Sequence, residues 1–134
     1  MKSIFIKDDD VIEFEIFFAK NKDGEILVGN KKDALLEREG VDKETLEEHK
    51  LSFKYPNHGD MTDIFSRSVK VGSSGISIDP VAARSNRLVV LLRNWTFVDD
   101  KGNKLPITEK NIKSLHPSLA DFILVEFEDR TGIV

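Results

Sequence analysis

Residues 11–19, VIEFEIFFA, alternate strictly enough to constrain everything around them: Ile12, Phe14, Ile16 and Phe18 fall on one side, Glu13 and Glu15 on the other. A period of two in apolar character fits a strand half buried against a core. The chain must therefore supply neighbouring strands and an apolar layer to cover that face. Residues 3–7, SIFIK, are the first expected partner, joined to 11–19 by a hairpin through Asp8, Asp9 and Asp10. Asn21, Lys22, Asp23 and Gly24 supply turn chemistry that folds residues 25–28 back as a further strand. The expectation for residues 1–30 is a three-stranded antiparallel meander.

Beyond Gly29 the texture changes. KKDALLEREG and VDKETLEEHK are charged, with sparse apolar positions at Ala34, Leu35, Leu36 and Leu46, and read as one or two surface helices broken at Gly40 and restarted at Asp42. LSFKYP alternates Leu51, Phe53 and Tyr55 and stops at Pro56, an extended segment. Asp60 is the expected cap of a helix carrying Met61, Ile64, Phe65 and Val69 on one face. Two glycines flanking two serines at 72–75 disfavour both helix and strand and read as a hinge or loop.

Asp79 followed by Pro80 fits an N-cap and first helical position, because proline's missing amide hydrogen has no partner there in any case. A helix of about four turns should follow. Val81, Leu88, Leu91, Leu92 and Trp95 share its core stripe, and Arg84 sits inside the same stripe. A guanidinium among leucines must snorkel, pair with a carboxylate or await a partner. After Phe97 and Val98, DDKGNK is turn-rich, residues 105–107 return as a short arm, and Thr108 caps a brief helix ending at Leu115. Pro117 opens the last helix, where Leu119, Phe122, Ile123 and Val125 lie on one side and Ala120, Leu124 and Phe127 on the other. Two-sided burial follows: the helix lies between layers of its own domain, or its second face meets another chain. The run FILVEF also fits a buried strand, which periodicity does not separate from a helix.

These elements add up to one α+β domain over residues 1–134: an N-terminal antiparallel β-meander, a mixed segment at 31–78, and a helical C-terminal half from 79 onward. At 134 residues and 40% apolar composition, the chain can bury a core without covalent staples. It contains no cysteine, so disulfides, thiolate metal sites and thiol nucleophiles are absent. The net charge is −4, with acidic side chains in excess in the first half and near balance in the second. That argues against sequence-independent nucleic-acid binding, which draws on phosphate neutralisation. No secretory signal or bilayer-spanning run stands out, so a protein free of membranes is expected.

Chemistry-bearing patterns are weak throughout. GSSGI at 72–76 lacks the second glycine of a nucleophile elbow. His49, His58 and His116 lack metal-ligand spacing. Asp8, Asp9 and Asp10, and the group Asp99, Asp100 and Asn103, do not match a calcium loop. No glycine-rich phosphate loop follows a strand. The expectation is a protein without catalytic residues, cofactor or metal.

One resemblance adds to this reading. The segment NWTFVDDKGNKLPITEKNIKSLHPSLADFI is similar to a pattern in small tail proteins of long-tailed bacteriophages, especially the tail assembly chaperone type. An apolar helix ends in Leu88 to Trp95, a D-x-x-G-x-x-x-P turn runs from Asp99 to Pro106, a short capped helix spans Thr108 to Leu115, and Leu115-His116-Pro117 enters the final helix. About 40 residues carry the likeness, all of them packing and turn positions. It implies a non-enzymatic viral protein of tail morphogenesis in the cytoplasm of the infected bacterium or in the virion tail, with the tape measure protein or another tail protein as partner. The competing class is a phage protein that binds and inhibits a host factor. A gene just upstream of a very long coiled-coil tape-measure gene favours assembly, and an early-expressed cluster favours host takeover. The expected partner-binding surface is the last helix with the Arg84 side of the central one: Arg84, Ala120, Leu124 and Phe127, used for a partner or for a second copy of the chain.

Overall fold

The computed structural model describes residues 4–133. Its backbone is an antiparallel sheet in the order β2-β1-β3-β6, built from β1 (Val11–Asn21), β2 (Ile26–Gly29), β3 (Val41–Lys54) and β6 (Leu92–Trp95). Helices α2 (His58–Arg67), α3 (Pro80–Leu91), α4 (Glu109–Lys113) and α5 (Pro117–Thr131) follow, with a short α1 (Lys32–Leu36) between β2 and β3. A separate hairpin of β4 (Val69–Gly72) and β5 (Gly75–Ile78) links α2 to α3. The α+β class inferred from the sequence is the observed one.

The alternation in β1 does what its period requires. Phe14 and Ile16 are buried on one face, opposite Leu51 and His49 of β3, while Glu13 and Glu15 face solvent. That face packs with Phe53, Leu92 and Trp95 against Ile64 of α2, Leu88 and Leu91 of α3, Ile112 of α4, and Leu119, Ile123, Leu124 and Phe127 of α5. Phe14 stacks on Phe53 at 5.6 Å, and Phe53 meets Phe127 at 5.2 Å between ring centroids. The opposite face holds a smaller cluster in which Phe17 and Ala19 bury against Leu35 of α1.

Several expectations change. Residues 4–10 hold no strand, and Ser3 lies outside the described residues. Instead, Asp10 caps a turn by accepting the Lys7 amide (2.8 Å), and Asp8 reaches Lys54 (3.1 Å). The third strand of the sheet comes from 41–54, where a surface helix was expected over 41–50. KETLEEHK favours helix locally, but pairing Phe17 with Glu48, Ile16 with His49 and Lys20 with Asp42 overrides that weak preference. The central helix ends at Leu91, and 92–95 turn into an edge strand that places Trp95 beside Leu51. Val81, expected in the core stripe, is exposed. At the start of α2, Asn57 is the N-cap and Asp60 sits three residues on, each side chain accepting the other's backbone amide as a capping box.

Asp79 and Thr108 cap α3 and α4 as expected, and Pro117 opens α5 behind a His116 cap. The FILVEF run is helix. Its buried positions, from Leu119 and Glu126 round to Leu124, span an arc of about 160° at 100° per residue. The chain's own layers cover that arc, while Val125 lies outside it and is exposed.

Candidate interaction surface

The residues expected to bind a partner fall mostly inside the molecule. Phe127 is 1% exposed and Leu124 4%, both in the main core, so neither reaches another chain without opening it. This corrects the expectation of a docking face there: Phe127 meets the Phe53 ring of β3, and Leu124 lies in the same core. Ala120 is half-buried against the same core. Arg84 bridges α3 to α5, donating Nη1 to Asp121 (2.6 Å) and Nε to Glu128 (2.8 Å), while Arg87 joins at Glu128 (3.3 Å). The hydrogen bond to Glu128, then that to Asp121, hold its pKa above the ordinary value despite partial desolvation. Of the three outcomes open to Arg84, the internal pair is the one observed.

No catalytic constellation assembles from the histidines. His49 packs between Phe18 and Phe97, with ring centroids at 5.2 and 4.5 Å. The Thr96 hydroxyl oxygen accepts the Lys50 amide (3.1 Å) and lies within hydrogen-bond distance of His49 Nδ1 (3.0 Å), while His49 Nε2 faces Glu47 (3.4 Å). His116 is a helix cap, its Nδ1 accepting from the Ser118 amide. Among the described residues no group of three or more acidic or histidine side chains is placed to hold a metal, and no helix is long and apolar enough to cross a membrane. A shallow hollow of about 360 Å³ on the outer sheet face is lined by Glu13, Glu15, Lys50, Ser52 and Asn94, with Lys50 paired to Glu15 at 3.8 Å.

The feature that stands apart is the β4–β5 hairpin. Cross-strand pairs Val69 with Ile78 and Val71 with Ile76 put four β-branched side chains on one face, with Lys70 and Ser77 on the other. That face is uncovered: Val71 is 81% exposed, Ile76 75% and Ile78 50%. Gly75, at φ +112, follows the Ser73-Ser74 loop in a left-handed backbone conformation that glycine adopts without strain. The stretch expected as a hinge is this turn.

The root of the hairpin is fixed. Ser68, almost fully buried, donates Oγ to the Ile64 carbonyl (2.6 Å), accepts from Asn86 Nδ2 (3.2 Å), and accepts the Asp79 amide at its own carbonyl (3.0 Å). Asp79 in turn caps α3 and pairs with Lys70 at 2.8 Å. The Lys70 hydrogen bond, then the Ala82 amide, hold the Asp79 carboxyl below its ordinary value. A four-residue, two-stranded sheet is marginal alone in water. Here its base, where Val69 is half-buried, is anchored on two helices, while Val71 and Ile76 farther along stand in solvent.

The sequence contained the signal. VKVGSSGISI has valines or isoleucines at 69, 71, 76 and 78 around a two-residue Ser-Ser loop, a hairpin pattern hidden by reading GSSG as a breaker. Comparison with protein-family models, curated proteins and solved structures finds no match to this chain.

Proposed function

We propose that the chain is a non-enzymatic protein-interaction module that works through the apolar face of its β4–β5 hairpin. The observation that carries this is Val71 and Ile76 standing side by side in solvent on an anchored scaffold. Covering those two alone contributes roughly 2–5 kcal/mol, from about 1.5–3 kcal/mol per fully buried side chain. Exposed apolar patches of this kind mark association sites.

The particular role proposed is tail morphogenesis in a long-tailed bacteriophage, as a chaperone-like protein acting in the infected cytoplasm on the tape measure or another tail protein. Support comes from the resemblance over 88–123. Trp95 donates Nε1 to the Leu105 carbonyl (2.7 Å), and Asp99 folds the following turn by accepting the Lys101 and Asn103 amides.

The test is co-expression with the tape measure protein of the same genome, followed by sizing. A complex that forms with the wild type and is lost in Ile76→Asp, with melting unchanged, is the expected result. A complex untouched by Ile76→Asp rejects the hairpin as the contact, and no complex with any tail protein rejects the morphogenesis role.

A further inference from the structure

We infer that in the free protein the edge of β5 pairs with the β5 edge of a second copy, making a twofold dimer whose centre is Ser77. This rests on the hairpin being an association surface and names its occupant. The Asp79 amide donates to the Ser68 carbonyl, so 68/79 is a hydrogen-bonded pair of the β4–β5 ladder. Antiparallel pairs alternate, which makes 70/77 and 72/75 hydrogen-bonded and 69/78 and 71/76 not. Ile76 and Ile78 therefore turn their N–H and C=O groups away from β4, toward the open side of the strand.

Those outward groups need a strand running antiparallel, and Ile76-Ser77-Ile78 reads the same in both directions. About a twofold at Ser77, Ile76 of one copy faces Ile78 of the other as a hydrogen-bonded pair, twice. Asp79 then meets Gly75 of the other copy, and no like charges face each other. Natural edge strands are guarded against such pairing by lysine, proline or a bulge. β4 has Lys70 at its middle, which would meet itself in the equivalent β4 pairing. β5 is Gly-Ile-Ser-Ile, with none of these guards. In-plane pairing buries only the edge of a four-residue strand on each copy. That is well under the ~800 Å² per partner of a standard interface, so the dimer is weak and concentration-dependent.

The absence of cysteine gives a direct test. Facing residues at a position without hydrogen bonds lie about 4.5 Å apart at Cα, within disulfide reach. Ser77→Cys should therefore cross-link under mild oxidation at least about tenfold faster than Asp100→Cys on the exposed 99–102 turn, the gain an intramolecular encounter gives. The wild type should rise from one chain mass at ~1 µM toward two at ~1 mM, as a weak interface requires. Ser77→Lys should stay monomeric with unchanged melting. Equal cross-linking rates, or a single-chain mass across that range, overturn the self-pairing. A monomer that still captures a tail protein through Ile76 overturns it while leaving the proposed function standing.

Discussion

Replacing Phe127 by alanine removes the side chain that ties α5 to the centre of the sheet. Phe127 is 1% exposed and lies 5.2 Å from the Phe53 ring, which itself stacks on Phe14. Large-to-small changes at such sites cost the lost transfer energy and a residual cavity, about 3–5 kcal/mol for phenylalanine. The surroundings here have little freedom to collapse, because Leu124, Ile123 and Trp95 are also fully packed. For a domain of this size each kcal/mol shifts Tm by roughly 3–5 °C, so a drop of about 10–20 °C is expected. Urea unfolding should show a lower midpoint with an unchanged slope, the signature of lost stability in an intact two-state fold. Val71→Ser is the matched control, with a change within about 0.5 kcal/mol as for an exposed position. A Tm shift of Phe127→Ala within 2 °C of that control would place Phe127 at the surface and refute this packing of α5.

Further outcomes follow from the same contacts. Trp95→Phe leaves the Leu105 carbonyl without its 2.7 Å donor and should cost about 1–3 kcal/mol in denaturant unfolding. Asn57→Ala dismantles the α2 capping box and should cost about 0.5–2 kcal/mol by the same measurement. For Asp60, burial pushes the carboxyl up, but hydrogen bonds from Lys54 and the Asn57 amide, with the charges of Lys54 and Arg93, outweigh it and leave the pKa below its ordinary 3.8. A depressed carboxyl contributes stability that is present above its unfolded value and lost as pH falls through the folded one. Acid titration of stability should therefore steepen below pH 3.8, and Asp60→Asn should flatten that limb. Lys54 is held above its ordinary 10.5 by the Asp60 hydrogen bond, against burial, with Asp8 adding to it. Its contribution is complete below pH 10.5 and fades only as pH rises through the raised value, so Lys54→Met should lower stability at neutral pH and remove that alkaline loss.

Local chemistry was legible where it decides the structure locally. The alternation at 11–19, Asp79-Pro80, Thr108 and Pro117 each specify an element or its start within a few residues, and each stands where the sequence puts it. The failures are long-range. Residues 41–50 carry helix-forming charges, and only the register of Phe17 against Glu48 makes them a strand. Leu92 and Trp95 continue a helical stripe, yet the Leu51–Trp95 pairing draws them into the sheet. Counting apolar residues around α5 suggested a face left over for a partner. The count was right, but the chain's own sheet and α3 absorb Leu124 and Phe127. The exposed apolar hairpin at 69–78 is harder to see because the glycines at 72 and 75 interrupt the alternation of valine and isoleucine on either side.

Amide hydrogen exchange, compared between the dilute free chain and its complex with a co-expressed tail protein, tests the location of the surface most directly. Residues 69–78 should exchange fast in the free chain and slow in the complex, while 119–127 stay slow in both. Protection gained only along 119–127, with the hairpin unchanged, would contradict the account and return the contact to α5.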